Sequence, residues 1–165
     1  VIRLVYLRQL RAYIGTPYVR GGETHRGIDC SGLARAAFWQ TILKEGVRAF
    51  NSDLLGPKLW KFWWRDLSAN DLLIGKYGYA KKIGEAQKLA GYTNSELKTG
   101  DLAIAGSGSH LLIYLGNREW IEANPDDGKV VVNFATPESK RPYFNMPVTL
   151  MRWWILADRP SPDRP

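Results

Sequence analysis

The change in hydrophobic periodicity near residue 100 constrains the fold of this chain more than any other feature of its sequence. Before that point, apolar residues recur every three or four positions, as in amphipathic helices. After it, short apolar runs separated by turn residues are typical of β-strands, and they cover residues 101–105, 109–115, 119–123, 129–134 and 148–156. Helices followed by an antiparallel meander predict an α+β fold.

Two helices are predicted in the first fifty residues. One covers residues 3–14 and ends at Gly15, a residue that commonly terminates helices. The second begins at Cys30 and continues to about Lys44, with alanines along one face. Such a face favours close packing against a flat surface, which the predicted sheet supplies.

The segment from about residue 46 to residue 98 is the least regular part of the chain. We expect short helices at 57–66 and 79–90. Two interpretations of its tryptophans remain open. They either close a small satellite core, which we favour, or form a lid or a carbohydrate-stacking wall. The residues concerned are Trp60, Trp63 and Trp64.

The length of 165 residues predicts one domain, which we place at residues 1–158, followed by a proline-rich tail at 159–165. No apolar run approaches the roughly 20 residues of a membrane-spanning helix. The net charge of +7 favours polyanionic partners such as an acidic cell-wall polymer. Basic residues are scattered along the sequence, so we expect no nucleic-acid partner. Separately, we expect a monomer.

Cys30 is the only cysteine, and it lies where a glycine-punctuated loop enters the second predicted helix. At a helix N-terminus, unpaired backbone N–H groups and the helix dipole stabilise a thiolate. We therefore predict that the pKa of Cys30 is lowered and that its thiol is a nucleophile. The alternative is a small buried side chain without chemical function.

A cysteine nucleophile needs a base, and the chain has two histidines, His25 and His110. His110 begins a predicted strand, which fixes an imidazole better than the polar loop around His25 does. The imidazole also needs an acceptor for its second ring nitrogen. Glu122 and Asn124 share one face of the next strand. A three-residue loop with a bulge would place that face beside His110, whereas a two-residue loop would turn it away.

Three blocks of sequence together resemble the NlpC/P60 family of papain-like cysteine peptidases. Residues 14–22 (IGTPYVRGG) are similar to its G-x-P-Y-x-W-G-G segment, and residues 29–33 (DCSGL) to its nucleophile motif. Residues 100–102 (GDL) and 110–116 (HLLIYLG) are similar to its G-D-L and H-x-G-I-Y-L-G pair. The resemblance implies a papain-like fold, with the nucleophile helix packed on an antiparallel sheet.

The resemblance implies a catalytic set of Cys30 as nucleophile, His110 as base and Glu122 as the third residue. Family members more often have histidine at the position of Glu122, and we prefer this carboxylate over Asn124 because it stabilises an imidazolium. The backbone N–H of Cys30 would contribute to an oxyanion hole. Tyr18 matches the family tyrosine that reaches toward the nucleophile, although ordinary packing remains an alternative.

Asp29 and Ser31 match positions that in relatives help bind the free amino end of the substrate, and a loop-capping role is about equally favoured. Arg20 stands where the family has tryptophan, so its guanidinium is a candidate for pairing with a substrate carboxylate. Leu112 replaces a glycine, and we expect it to line or adjoin the cleft. The stretch between Cys30 and His110 is about thirty residues longer than is common in the family, and we place the insertion at about residues 46–98.

The implied function is hydrolysis of amide bonds in peptidoglycan stem peptides, typically between D-glutamate and a diamino acid. That function predicts a location outside the cell, in the periplasm or in the envelope. We expect no metal or other cofactor, since two histidines and one cysteine do not make a zinc site. Two alternatives stay open: an amidase or acyltransferase toxin or effector acting on another substrate, and a catalytically weak wall-binding module.

Overall fold

The computed structural model describes residues 2–49 and 56–157. Its four helices lie in the first half of the chain. They are α1 (Ile2–Arg11), α2 (Cys30–Ala49), α3 (Pro57–Trp64) and α4 (Ala69–Leu73). The predicted helices at 3–14, 30–44 and 57–66 are confirmed, with boundaries that differ by a few residues. Short 3-10 turns occur at Lys76–Gly78, Pro142–Phe144 and Trp154–Leu156.

The predicted meander is a six-stranded antiparallel sheet, which confirms the α+β fold. Its strands are β3 (Ala80–Ala86), β4 (Leu102–Ala105), β5 (His110–Gly116), β6 (Glu119–Asn124), β7 (Lys129–Phe134) and β8 (Val148–Trp153). They lie in the order β3-β8-β4-β5-β6-β7. A small antiparallel hairpin, β1 (Glu23–Thr24) with β2 (Gly27–Ile28), precedes α2.

The helix predicted at 79–90 is wrong. Residues Ala80–Ala86 form β3, which pairs with β8 at the edge of the sheet. The alanine, lysine and glutamate residues there favour a helix intrinsically, but pairing with β8 supplies backbone partners that override this preference. A register shift between Lys82 and Gly84 is consistent with the irregular pattern of burial along β3.

The sheet separates two apolar cores. On one side α2 packs on β5 and β6, with Ala34, Ala37 and Phe38 fully buried. The alanine-rich face therefore packs closely, as predicted. On the other side Trp120 and Phe144 belong to a second buried cluster. The two cores hold the sheet rigid, which fixes the side chains at its strand ends.

Asp101, in the Gly-Asp-Leu block, anchors β4 to β8. It is fully buried, and its two carboxylate oxygens accept hydrogen bonds from Nε and Nη2 of Arg152, each at 2.7 Å. The backbone N–H of Lys98 donates to the same carboxylate at 2.7 Å. A buried charge paired in this way is costly to disrupt, so this motif stabilises the sheet.

The three tryptophans of the 46–98 segment are exposed. Trp60, Trp63 and Trp64 have 59%, 49% and 79% of their surface accessible, whereas Leu59 and Phe62 face the core. The interpretation that these tryptophans close a satellite core is therefore wrong. The helix α3 is amphipathic, and its inward positions are filled without them.

None of the helices within residues 2–49 and 56–157 is both long and apolar enough to cross a bilayer. The predicted tail at 159–165 lies outside the described residues.

Candidate active site

Cys30 is the first residue of α2, and Asp29 caps that helix. One carboxylate oxygen of Asp29 accepts hydrogen bonds from the backbone N–H of Gly32 at 2.7 Å and from the hydroxyl of Ser31 at 3.0 Å. The other accepts one from the backbone N–H of Gly21 at 2.7 Å. Both oxygens thus hold the loop and the helix start together, which favours the capping role for Asp29 and Ser31.

Gly32 allows the preceding loop to approach the first turn of α2. A Cβ atom added at Gly32 would lie 2.1 Å from the carbonyl oxygen of Gly22. The same loop carbonyl accepts a hydrogen bond from the backbone N–H of Asp29 at 3.1 Å. The glycine of the Asp-Cys-Ser-Gly motif is therefore required by close backbone contact beside the cysteine.

The thiol of Cys30 is not activated by its position alone. Burial, followed by the negative charge of Asp29, raises the pKa of Cys30 to about 11. Hydrogen bonds from the backbone N–H groups of Leu111, Ser31 and Cys30 itself lower this pKa, but by less than burial and Asp29 raise it. The prediction of a lowered pKa is wrong because desolvation outweighs the helix N-terminus here. At neutral pH the thiol keeps its proton, so a base must remove it.

The register between β5 and β6 brings His110 and Glu122 to the same side of the sheet. Asn117 and Arg118, both with positive φ, form a two-residue turn. The register then shifts by one residue between Tyr114 and Gly116. This bulge returns Glu122 to the side of the sheet that carries His110, whereas the two-residue turn alone would place it on the opposite side. The face expected for a longer loop with a bulge is therefore the one observed.

His110 and Glu122 form a buried pair, each with 1% of its surface accessible. Nε2 of His110 lies 2.6 Å from Oε2 of Glu122. The side chain of Asn124 donates to the same Oε2 at 3.2 Å, and that of Asn133 donates to Oε1 at 3.4 Å. The His110 ring is therefore hydrogen-bonded to Glu122, and Asn124 supports the carboxylate.

His25 lies away from this pair. It is exposed in the β1–β2 turn and stacks on Tyr13 with ring centroids 4.0 Å apart. Among residues 2–49 and 56–157, no group of three or more His, Cys, Asp and Glu side chains could hold a metal ion.

Two residues at the site were not singled out from the sequence. The ring of Tyr143 stacks on His110, with centroids 3.8 Å apart and planes 20° from parallel. Arg141 pairs with Asp127 at 2.8 Å and lies 3.9 Å from Oε1 of Glu122. Both follow β7 in an irregular segment whose pattern gives no sign of where it packs. Only the fold brings them to the site.

The remaining predicted site residues divide into two groups. Burial and the neighbouring Cys30 and Asp29 raise the pKa of Tyr18, while Arg20 opposes this rise, so Tyr18 lies near the thiol and Arg20 lies near Tyr18. Arg20 itself is exposed. Leu112, in contrast, is fully buried in the second core and does not line a cleft surface. The change from glycine at that position fills the core.

The arrangement supports nucleophilic chemistry with general-base assistance. The thiol of Cys30 lies against the backbone N–H of Leu111, the residue that follows His110. Glu122 holds one nitrogen of the imidazole, which leaves the other ring nitrogen for proton exchange. Backbone N–H groups at the start of α2 are suited to stabilising a developing oxyanion.

The chain is similar to known proteins over most of its length. The model of the NlpC/P60 family matches residues 15–148. A probable endopeptidase NlpC homolog from Haemophilus influenzae is 31% identical over 119 residues, which are 72% of this chain and 48% of the relative. A murein DD-endopeptidase MepS/murein LD-carboxypeptidase from Escherichia coli K12 is 28% identical over 133 residues, covering 78% of this chain and 53% of the relative. The chain spans about half the length of these relatives.

Solved structures share the fold. The peptidoglycan hydrolase RipB from Mycobacterium tuberculosis superposes with a TM-score of 0.54 at 23% identity, over 90% of this chain and 63% of RipB. The NlpC/P60 domain of the peptidoglycan hydrolase SagA gives a TM-score of 0.53 at 23% identity, over 90% of this chain and 96% of that domain.

Proposed function

The chain belongs to the NlpC/P60 family, and from this membership and the geometry above we propose that it is a cysteine peptidase acting on peptidoglycan stem peptides. The single observation that carries the proposal is the buried contact of 2.6 Å between His110 and Glu122, beside the strand backbone against which the thiol of Cys30 lies. The curated relatives named above are endopeptidases by their printed names, and one of them acts on murein.

In the first step, Sγ of Cys30 attacks the carbonyl carbon of the scissile amide, and the thiol proton passes to His110. Because burial raises the pKa of Cys30 to about 11, the resting thiol is protonated and needs the imidazole to accept its proton. The carboxylate of Glu122 stabilises the imidazolium that forms. The carbonyl oxygen becomes an oxyanion that accepts a hydrogen bond from the backbone N–H of Cys30.

In the second step, the C–N bond breaks and His110 returns its proton to the departing amine. The acyl group remains on Cys30 as a thioester. His110 then deprotonates a water molecule, which attacks the thioester and releases the carboxylic acid and the thiol. The proton that His110 takes from this water passes to the departing thiolate of Cys30, so one water molecule is consumed and both residues return to their starting states.

The finer parts of the proposal concern the bond, the location and the assembly. We propose cleavage between D-glutamate and a diamino acid, with the exposed Arg20 near Tyr18 pairing with a carboxylate of the stem. The net charge of +7 favours an anionic envelope substrate and a site of action at the envelope. We also propose that the domain acts as a monomer.

The test is mass spectrometry of purified stem peptides after incubation with the wild-type chain and with Cys30→Ala. We expect the wild type to release a fragment ending in D-glutamate and Cys30→Ala to release none. Cleavage by Cys30→Ala would overturn the mechanism. Cleavage at another amide would overturn only the assignment of the bond. A wild type that retains peptidoglycan without cleaving it would instead identify a wall-binding module.

A further inference from the structure

The three longest helices carry the whole net charge of the chain. Together α1, α2 and α3 contain eight basic residues and one acidic residue, Glu45, which gives +7. The complete sequence also has a net charge of +7, so the rest of the chain contains as many acidic as basic residues. The helical layer is therefore strongly basic, and the remainder of the domain is electrically balanced.

These helices pack on the same face of the sheet and turn their basic residues outward. Tyr6 of α1, Phe38 of α2 and Phe62 of α3 belong to one buried cluster with residues of β5. Five basic residues of the three helices are exposed, namely Arg8, Arg11, Lys44, Arg48 and Lys61. Two of them, Arg11 and Arg48, pair with carboxylates. The other three form no ion pair within residues 2–49 and 56–157.

The same layer exposes large apolar side chains. On α2, Leu43 and Val47 follow Trp39 at intervals of four residues, so the three lie along one side of the helix. Leu43 is 43% exposed and Val47 is 57% exposed. The ring of Trp39 contacts those of Trp63 and Trp60, with centroids 4.6 Å and 6.4 Å apart, so the apolar surface continues onto α3. We call this surface the apolar stripe; it consists of Trp39, Leu43, Val47, Trp60, Trp63 and Trp64.

The chemistry of the apolar stripe fits the interfacial region of a bilayer. A solvated helix carries charged residues on its outward side, whereas α3 carries tryptophans there, with Lys61 between them. An indole ring buries its apolar body among lipid chains while its N–H stays among the headgroups. Lysine and arginine near the surface are attracted by anionic headgroups, and the combination is typical of helices that lie in the membrane interface.

Two other partners match this surface less well. A second copy of the chain would bring two layers of high positive charge together, and they would repel each other. A single-stranded nucleic acid stacks its bases on aromatic rings, but the aliphatic side chains of Leu43 and Val47 offer no such platform.

We propose that the apolar stripe and the basic residues around it dock the domain on a bilayer surface that contains anionic lipids. Docking there leaves the catalytic thiol accessible. Leu43 and Val47 lie 13 and 17 residues after Cys30 on α2, or about 20 and 25 Å along the helix axis. Trp39 lies nine residues after Cys30, which is two and a half turns at ~3.6 residues per turn, so the two side chains point to opposite sides of α2.

The test is co-sedimentation of the wild-type chain with large unilamellar vesicles. One set contains phosphatidylcholine alone, and the other is an equal mixture of phosphatidylcholine and phosphatidylglycerol. We expect saturable binding to the mixed vesicles and at least about tenfold weaker binding to phosphatidylcholine alone. Tryptophan emission should shift to shorter wavelength on binding, because indoles of the apolar stripe leave water.

Reversal of one charge separates the helical layer from the rest of the surface. Lys61→Glu should weaken binding to the mixed vesicles at least about fivefold. Lys81→Glu is the matched control, because it changes the net charge equally at another exposed lysine. Lys81 pairs in register with Arg152, which lies between two strand residues of the first core and so points to the opposite face of the sheet. Its affinity should stay within about twofold of the wild type, since screening limits such charges to about 10 Å.

Trp64→Ala removes the most exposed indole of the apolar stripe and should weaken binding to the mixed vesicles at least about fivefold. At 79% exposure this side chain contributes little to the fold, and circular dichroism of the variant should match that of the wild type.

The proposal is overturned if the wild type does not bind the mixed vesicles, if it binds phosphatidylcholine equally well, or if Lys61→Glu and Lys81→Glu lose affinity equally. Binding by Trp64→Ala at wild-type affinity also overturns it. Titration with oligothymidylate and sedimentation equilibrium run in parallel. Oligonucleotide binding or dimerisation without vesicle binding would replace the bilayer by that partner. Because the vesicles contain no peptide, hydrolysis of stem peptides without vesicle binding would overturn this inference alone.

Discussion

Nε2 of His110 and Oε2 of Glu122 lie 2.6 Å apart, and both side chains are almost completely buried. This contact orients the imidazole and places a carboxylate where it would stabilise the imidazolium of the proposed mechanism. Asn124 and Asn133 donate to the carboxylate and hold it in place. The pair therefore provides the geometric basis for assigning His110 the role of base.

Replacing Glu122 by Gln should lower kcat for stem-peptide hydrolysis by about 10²- to 10⁴-fold, the usual contribution of general acid–base catalysis. The amide has nearly the same shape but cannot stabilise the imidazolium. Asn124→Ala removes only one donor to Glu122, so its loss should be about tenfold or less. Steady-state kinetics of stem-peptide hydrolysis measure the loss of kcat in both variants. Glu122→Gln activity within about twofold of the wild type would contradict the assigned role.

The alkylation of Cys30 by iodoacetamide should accelerate with rising pH toward an inflection near pH 11, because burial and Asp29 raise its pKa to about 11. Only the thiolate reacts, so the rate reports its fraction. Asp29→Asn removes the negative charge that raises the pKa, and its inflection should lie at lower pH. The variant keeps an oxygen to accept the backbone N–H of Gly32, so the helix start is preserved.

Glu85→Gln, on the edge strand β3, is the control for this measurement, and its profile should coincide with that of the wild type. An inflection at or below the ordinary cysteine value of about 8.5 in the wild type would contradict the raised pKa. If the alkylation rate of Asp29→Asn depends on pH as that of the wild type does, burial alone sets the pKa of Cys30.

Tyr143 should position the ring of His110 through stacking, since their centroids are 3.8 Å apart. Aromatic pairs contribute about 0.5–1.5 kcal/mol beyond their buried area, so Tyr143→Leu should lower kcat about two- to tenfold. Tyr143→Phe keeps the ring and should stay within about twofold of the wild type. Kinetics with both variants separate stacking from a role of the hydroxyl. Equal losses in the two variants would assign the effect to the hydroxyl instead.

The parts of the fold that sequence could predict are those with strong local patterns. β7 was predicted at its exact limits, and β6 to within one residue, because turn residues bound runs of apolar and β-branched side chains. β3 was missed because its composition favours a helix and only its pairing with β8 makes it a strand. Pairing over such a distance in sequence leaves no local trace.

The residues of the candidate site also differ in whether the sequence marks them locally or only the fold places them. Cys30 and His110 are candidates by residue type and position, and Glu122 is preferred over Asn124 through the family resemblance, whereas Tyr143 reaches His110 only through the path of an irregular segment. The pKa of Cys30 was predicted in the wrong direction for a related reason. The helix N-terminus is visible in the sequence, but the burial that outweighs it depends on the packing of the whole domain.

Gly32→Ala should destabilise the domain more than any surface substitution, because the added Cβ would lie 2.1 Å from the carbonyl oxygen of Gly22. A backbone atom cannot move aside as a flexible side chain does, and overpacking of this kind costs about 1–3 kcal/mol. For a domain of this size that cost corresponds to a Tm lower by about 3–10 °C. Gly84→Ala is the control, since its Cβ would meet only a leucine methyl group at 3.9 Å. Thermal unfolding followed by circular dichroism measures both variants, and a Tm for Gly32→Ala equal to that of Gly84→Ala would show that the loop can withdraw from α2 without cost.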